Sequence, residues 1–169
     1  MTILSSNINS VFKLQSQQKW VNKASSAKQR IDKLQRLKQV IESRKQDVIQ
    51  ALHVDLRRDA DTAEAELLII YGEIEHCVEE LANWMAPVEV DPTPLTDSRA
   101  RIITEGRGIV LLFSPWNFPF ALLFAPLVSI IAAGNCAMIK PNELAPNISK
   151  LAADIIREVF DEKDVAAFE

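Results

Sequence analysis

The sequence predicts an α/β fold: N-terminal helices and a β-hairpin arm, then the first βαβα unit of a parallel sheet. Three observations lead there. From about Ala27 to Trp84, apolar residues recur at helical spacing. Pro87, Pro92 and Pro94 then close that pattern. After Gly106 and Gly108, short β-branched runs alternate with helical ones, the order that a right-handed βαβ crossover requires.

Residues 1–18 are rich in Ser, Asn and Gln and read as a loose arm or a short helix. Beyond them Ile31, Leu34, Leu37, Ile41, Val48 and Leu52 share one helical face, while Lys33, Arg36, Lys38 and Arg44 take the other. "RRDADTAEAE" gives a break and a restart, with Asp61 as cap and Glu64 reaching back to it. Leu67, Ile70, Ile74, Cys77, Leu81 and Trp84 follow in steps of three and four, a stripe of core or a helix–helix seam.

In residues 86–108 the prolines exclude a helix, and the alternation in "RARIITE" fits a strand exposed on one side, hence a connector with an extended hairpin. "IVLLF" has buried-strand length. "PFALLFAPLVSIIAAG" reads as a helix with Pro119 in its first turn, a kink at Pro126 and Gly134 after its end. "NCAMIK" is a second strand and "PNELAP" a turn, and Asn147 caps a last helix through Leu151, Ile155 and Val159. The chain stops at Glu169, where a third strand is expected to begin, so the second strand should end as an open apolar edge that invites aggregation. The resulting division is an arm (1–18), a helical segment packed on the sheet domain (19–86), a connector and hairpin (87–105) and the sheet domain (106–169).

Composition removes several functions. Net charge is −4, with 19 basic residues dispersed among 23 acidic ones, which argues against nucleic acid or an anionic membrane as partner. Residues 109–139 carry no charge, but Pro115, Asn117, Pro119, Pro126, Gly134 and Asn135 break the run, and buried parallel strands read the same way. Two cysteines without pairing or metal spacing suit a reducing compartment, and "MTILSSNINS" has no signal-peptide pattern, so a cytoplasmic home is expected. His53 and His76 lack second ligands nearby, and no metal site is expected.

In open α/β sheets ligands bind beyond the carboxyl ends of the strands. Here those ends are "SPWNFP" and "KPNE". The Asn117 amide is a neutral donor able to hold a developing oxyanion, or else a turn former or cap. Lys140 and Glu143, three apart, can grip neighbouring sugar hydroxyls or form a plain surface pair. Trp116 alone reads as packing. Glycine occurs only at 72, 106, 108 and 134, so no GxGxxG phosphate loop can be written.

The stretch from Gly108 to Ser149, with "PWNFP", "AAGNC" and "KPNE" in order, closely resembles the NAD(P)-dependent aldehyde dehydrogenases. The likeness covers about residues 20–169, and the shorter N-terminal part is similar to the class-3 branch with its fatty- and coniferyl-aldehyde enzymes. The resemblance implies a Rossmann-like domain, NAD or NADP as cofactor, an aldehyde as substrate and a homodimer for the intact enzyme. It assigns Asn117 to the oxyanion of a cysteine thiohemiacetal, and Lys140 and Glu143 to the adenosine ribose. Ser114, Pro115 and Trp116 would line the nicotinamide side, and Phe118 a wall of the aldehyde tunnel or the core. Asn142 stands where Ser or Ala is common, without consequence for the site.

The family's nucleophilic cysteine and general-base glutamate lie downstream of Glu169. Cys136, on a buried strand with no basic neighbour, is no substitute, and Cys77 belongs to the helical stripe. Three readings therefore stand: the N-terminal part of an aldehyde dehydrogenase, a catalytically inactive fragment with half a dinucleotide site, and an interaction module using the Leu67–Trp84 stripe.

Overall fold

A computed structural model describes residues 2–92 and 98–169, with side chains from residue 7 onward. The described chain forms six helices and five strands. The helices are α1 (Thr2–Lys23), α2 (Ala27–Ser43), α3 (Lys45–Leu56), α4 (Ala60–Met85), α5 (Ala121–Ala132) and α6 (Pro146–Val159); the strands are β1 (Val88–Val90), β2 (Ala100–Ile102), β3 (Ile109–Phe113), β4 (Cys136–Lys140) and β5 (Val165–Ala167).

The N-terminal arm is a 22-residue helix rather than a loose segment. Its polar character reflects where it lies: α1 packs on the sheet through few side chains. Val11 joins Met138 and Ala166 in a small cluster, and Gln15 Nε2 donates to the Ala137 carbonyl at 2.9 Å and the Glu162 carbonyl at 3.0 Å. The apolar face from Ile31 to Leu52 belongs to two helices, because the chain breaks at Arg44, which ends α2 and begins α3. Ser26 caps α2 through a full capping box with Gln29. Helix α4 begins two residues earlier than expected. Asp59, not Asp61, is its cap and accepts from the Thr62 N–H at 2.7 Å.

The stripe on α4 is buried inside the chain from Leu67 to Leu81, while Trp84 at its end is 43% exposed. It packs against α2 and α5 in one large core that continues to α6 and one face of the sheet. That burial removes Leu67 through Leu81 from any external partner and leaves only Trp84 of the stripe exposed, so the stripe is core and not a docking face.

Strands β1 and β2 pair antiparallel with Val88 opposite Ile102 and Val90 opposite Ala100. The hairpin is as expected, but its second strand is short, with Ala100 half-buried and Arg101 and Ile102 exposed. Its tip, residues 93–97 with Pro94, lies outside the described residues. The second sheet is parallel in the order β3-β4-β5. The third strand is therefore already present at Val165–Ala167, and β4 is central rather than an open edge. Apolar surface stays open on β3 instead, where Leu111 is 60% and Phe113 67% exposed. Alternation sends Val110, Leu112, Ala137 and Ile139 toward α5 and α6, and Ile109, Met138 and Ala166 toward α1.

Pro126 lies inside α5, as the sequence indicates, but Pro119 precedes the helix instead of entering its first turn. Gly134 ends α5 at φ 75°, with its N–H on the Ile131 carbonyl and the Asn135 N–H on the Ile130 carbonyl, a Schellman motif. No helix among the described residues is long and apolar enough to cross a membrane.

Candidate functional site: two strand ends held together

Parallel pairing places Phe113 opposite Lys140, so β3 and β4 deliver "SPWNFP" and "KPNE" side by side at one end of the sheet. The two loops are bonded to each other. The Ser114 N–H donates to the Lys140 carbonyl at 3.2 Å, and the Asn142 side-chain amide donates to the Ser114 carbonyl at 3.1 Å. Asn142 also accepts from the Leu144 N–H at 3.0 Å and, at its carbonyl, from the Ser149 hydroxyl at 2.7 Å. Read from sequence as inconsequential, Asn142 is the residue that shapes this turn.

Ser114 is buried, and its hydroxyl donates back to the Pro119 carbonyl at 2.9 Å, closing the loop on itself. Its side chain therefore faces inward, and what it offers a ligand is backbone. Pro115 is half-buried. Trp116 is 55% exposed, so it is not the packing residue that its size alone suggests. Phe118 lies on the surface under Arg58, whose guanidinium sits 4.3 Å from the ring centroid.

Asn117 is exposed. Its carbonyl accepts from Arg58 Nη2, while its side-chain amide has no partner among the described residues. The side chain therefore faces solvent, and the backbone beneath it is held by Arg58. Lys140 Nζ meets the Glu143 carboxylate at 3.1 Å and the Pro141 carbonyl at 2.6 Å. Glu143's own backbone N–H, and then the Lys140 ammonium, keep its carboxyl below the usual range, which favours the carboxylate. Both tips border a groove of about 200 Å³ with Pro141, Pro146 and Ser149. No hydrogen bond or ion pair among the described residues joins Asn117 to Lys140 or Glu143; they share an end of the sheet and a backbone link.

The helices that follow these strands have their N-termini filled by acidic side chains from the helical layer. Asn147 is not the cap of α6. Pro146 is its first residue, and Asp55 of α3 accepts from the Ile148 N–H at 2.9 Å and the Asn147 side-chain amide at 2.6 Å. Glu66 of α4 accepts from the Phe120 and Ala121 N–H groups at 3.1 and 2.9 Å. Neither Asp55 nor Glu66 was singled out by sequence. The one available signal was an acidic residue on the apolar face of α4, between Ala63 and Leu67. With a carboxylate at each, these N-termini do not fit a phosphate, although that is where dinucleotides place it in many parallel sheets.

Cys77 and Cys136 are buried free thiols, and burial pushes both up to about 11. Neither is a poised nucleophile. Among the described residues no group of three or more His, Cys, Asp or Glu could hold a metal ion.

The model of the aldehyde dehydrogenase family matches residues 7–167. AldX of Bacillus subtilis is 38% identical over 164 residues, 96% of this chain and 37% of its own. The dimeric, NADP-preferring aldehyde dehydrogenase of Canis lupus familiaris is 37% identical over 134 residues, 78% of this chain and 30% of its own. The substrate-bound AldH of Staphylococcus aureus superposes with a TM-score of 0.91 at 34% identity, covering 96% of this chain and 36% of that one. The chain thus spans about a third of the length of these relatives. With residues 7–167 of the chain matched by the family's model and the two strand-end loops in place, the chain belongs to the aldehyde dehydrogenase family.

Proposed function

We propose that this chain supplies the carbonyl-polarising amide and the ribose grip of an NAD(P)-dependent aldehyde dehydrogenase that converts aldehydes to carboxylic acids. The observation that carries the reading is the Asn117 amide, exposed and without a partner among the described residues, beside a turn where Lys140 pairs with Glu143. Charge develops on the aldehyde oxygen when a thiolate adds to the carbonyl. A fixed neutral N–H donor stabilises that oxyanion without a proton transfer of its own. Lys140 donates to, and Glu143 accepts from, vicinal ribose hydroxyls. Ser114, Pro115 and Trp116 flank the nicotinamide end, and Phe118 the aldehyde path.

NAD or NADP, when bound, accepts the hydride. The residues present fit its ribose. They do not fit its pyrophosphate, since Asp55 and Glu66 fill both nearby helix N-termini. The nucleophilic cysteine is neither Cys77 nor Cys136, so the chain by itself is inactive in this reading. The dog relative is described as dimeric and NADP-preferring. A homodimer here would join through the β1–β2 ribbon, one face of which exposes Val88, Val90 and Ile102. A cytoplasmic setting goes with the two free thiols.

The experiment joins this chain in frame to the remainder of a family member. The hybrid should oxidise aldehydes, and Asn117→Ala should lower kcat roughly 10²-fold, the usual loss for one oxyanion donor. Lys140→Ala and Glu143→Ala should instead weaken nucleotide binding. Unchanged kcat in the Asn117 variant, or aldehyde oxidation by the 169-residue chain alone, would defeat the proposal.

A further inference from the structure

The loop that carries Asn117 is held from outside the sheet. Helix α3 ends at Arg57 in the left-handed region, φ 57°, and the chain reverses there into α4. His53 Nδ1 lies 2.9 Å from the Arg58 carbonyl; a carbonyl only accepts, so Nδ1 carries the proton. Arg58, fixed in this corner, lays its guanidinium over Phe118 and donates to the Asn117 carbonyl. Nearly two turns into α4, Glu66 is fully buried and binds the Phe120 and Ala121 amides. Arg58 Nε faces Glu66 Oε1 at 3.4 Å, and among the described residues neither atom has a hydrogen bond of its own.

A helix start needs much less. A hydroxyl or an exposed Asp caps an N-terminus well, whereas a buried carboxylate carries a desolvation cost that a partially aligned arginine offsets incompletely. Burial does push the Glu66 carboxyl up, against the Ala121 amide and the Arg58 charge that favour ionisation. What the arrangement achieves is selective: its contacts fall on residues 117, 118, 120 and 121 and leave the Asn117 side chain untouched.

We propose that Arg58 and Glu66 are positioning residues for the Asn117 amide, Arg58 through the Asn117 carbonyl and the Phe118 ring, Glu66 through the two amides that open α5. This rests on Asn117 being the oxyanion donor. Such a donor must meet the developing charge at hydrogen-bond length, and a displacement of about 1 Å costs on the order of 10²-fold in rate. Arg58→Lys keeps the charge beside Glu66 but loses the flat fork that serves a ring and a carbonyl together. Glu66→Gln keeps an acceptor for the amides, so it should rescue what Glu66→Ala loses.

The test is a double-mutant cycle in the hybrid enzyme, with hydrogen exchange on the 169-residue chain beside it. Arg58→Ala should lower kcat at least tenfold without changing nucleotide Kd, and should cost under about twofold once Asn117 is Ala, because the two act as one unit. In the isolated chain Arg58→Ala and Glu66→Ala should speed exchange at Phe120 and Ala121 about tenfold while the β4 amides stay protected. An equal kcat loss in both backgrounds would reduce the pair to general stability and overturn the proposal, as would unchanged kcat in Arg58→Ala where Asn117→Ala is impaired. If Asn117→Ala itself leaves kcat intact, the oxyanion reading falls and the positioning role falls with it; the cycle separates that result from the other two.

Discussion

The side-chain amide of Asn142 donates to the Ser114 carbonyl at 3.1 Å, so the turn after β4 is fastened to the first residue past β3. Asn142→Ala removes this bond and the one from the Leu144 N–H. Both are partly exposed, and the expected loss is roughly 1 kcal/mol. Urea unfolding should show a lower midpoint with an unchanged slope.

Asp55 reaches from α3 to the first turn of α6 and binds both Asn147 and Ile148. Asp55→Ala should cost about 1–2 kcal/mol, as loss of a cap does. Increased exchange confined to the Asn147 and Ile148 amides would place the damage where the cap was, and uniform exchange across α6 would contradict it.

Arg30 is buried, and no acidic side chain among the described residues pairs with it. Its guanidinium instead donates to the Ala132 carbonyl at 2.9 Å, to the Asn22 and Lys23 carbonyls at 3.3 and 3.1 Å, and to the Ser25 hydroxyl at 2.9 Å. It thus closes the carboxyl ends of α1 and α5 together. Arg30→Met leaves those acceptors bare and should cost roughly 3 kcal/mol. Gly134→Ala should be comparably harmful, since its new Cβ would lie 2.6 Å from the Arg30 Cζ at a φ of +75°. Combining the two should cost less than their sum, because the clash disappears with the guanidinium.

Burial pushes the thiols of Cys77 and Cys136 up to about 11. At pH 8 neither should react with a thiol reagent in the native chain, and both should react in urea. The sign for stability follows. Between the ordinary thiol value of about 8.5 and that raised value the unfolded chain loses its thiol protons first. This contribution is therefore full below the ordinary value and is lost as pH rises toward 11. Replacing both cysteines by Ala should flatten the alkaline limb of the stability curve.

Local periodicity was enough to place the helix–hairpin–sheet order, the parallel pairing of "IVLLF" with "NCAMIK" and the two strand ends, because alternation and helical spacing report which face each element buries. It also placed Asn117, Lys140 and Glu143 at the sheet's open end. Tertiary structure decided what local pattern cannot encode. Helix α1 is polar in sequence because Gln15 and Val11 do its docking, and β5 is too short and too rich in alanine to stand out. The caps of α5 and α6 come from Glu66 and Asp55, more than fifty and ninety residues away in sequence, and a hydrogen bond across that separation leaves no trace in spacing. The sequence names the groups at the two strand ends; only the packing of α3 and α4 on those ends decides what holds them still, since that requires atoms distant in the chain to share one place.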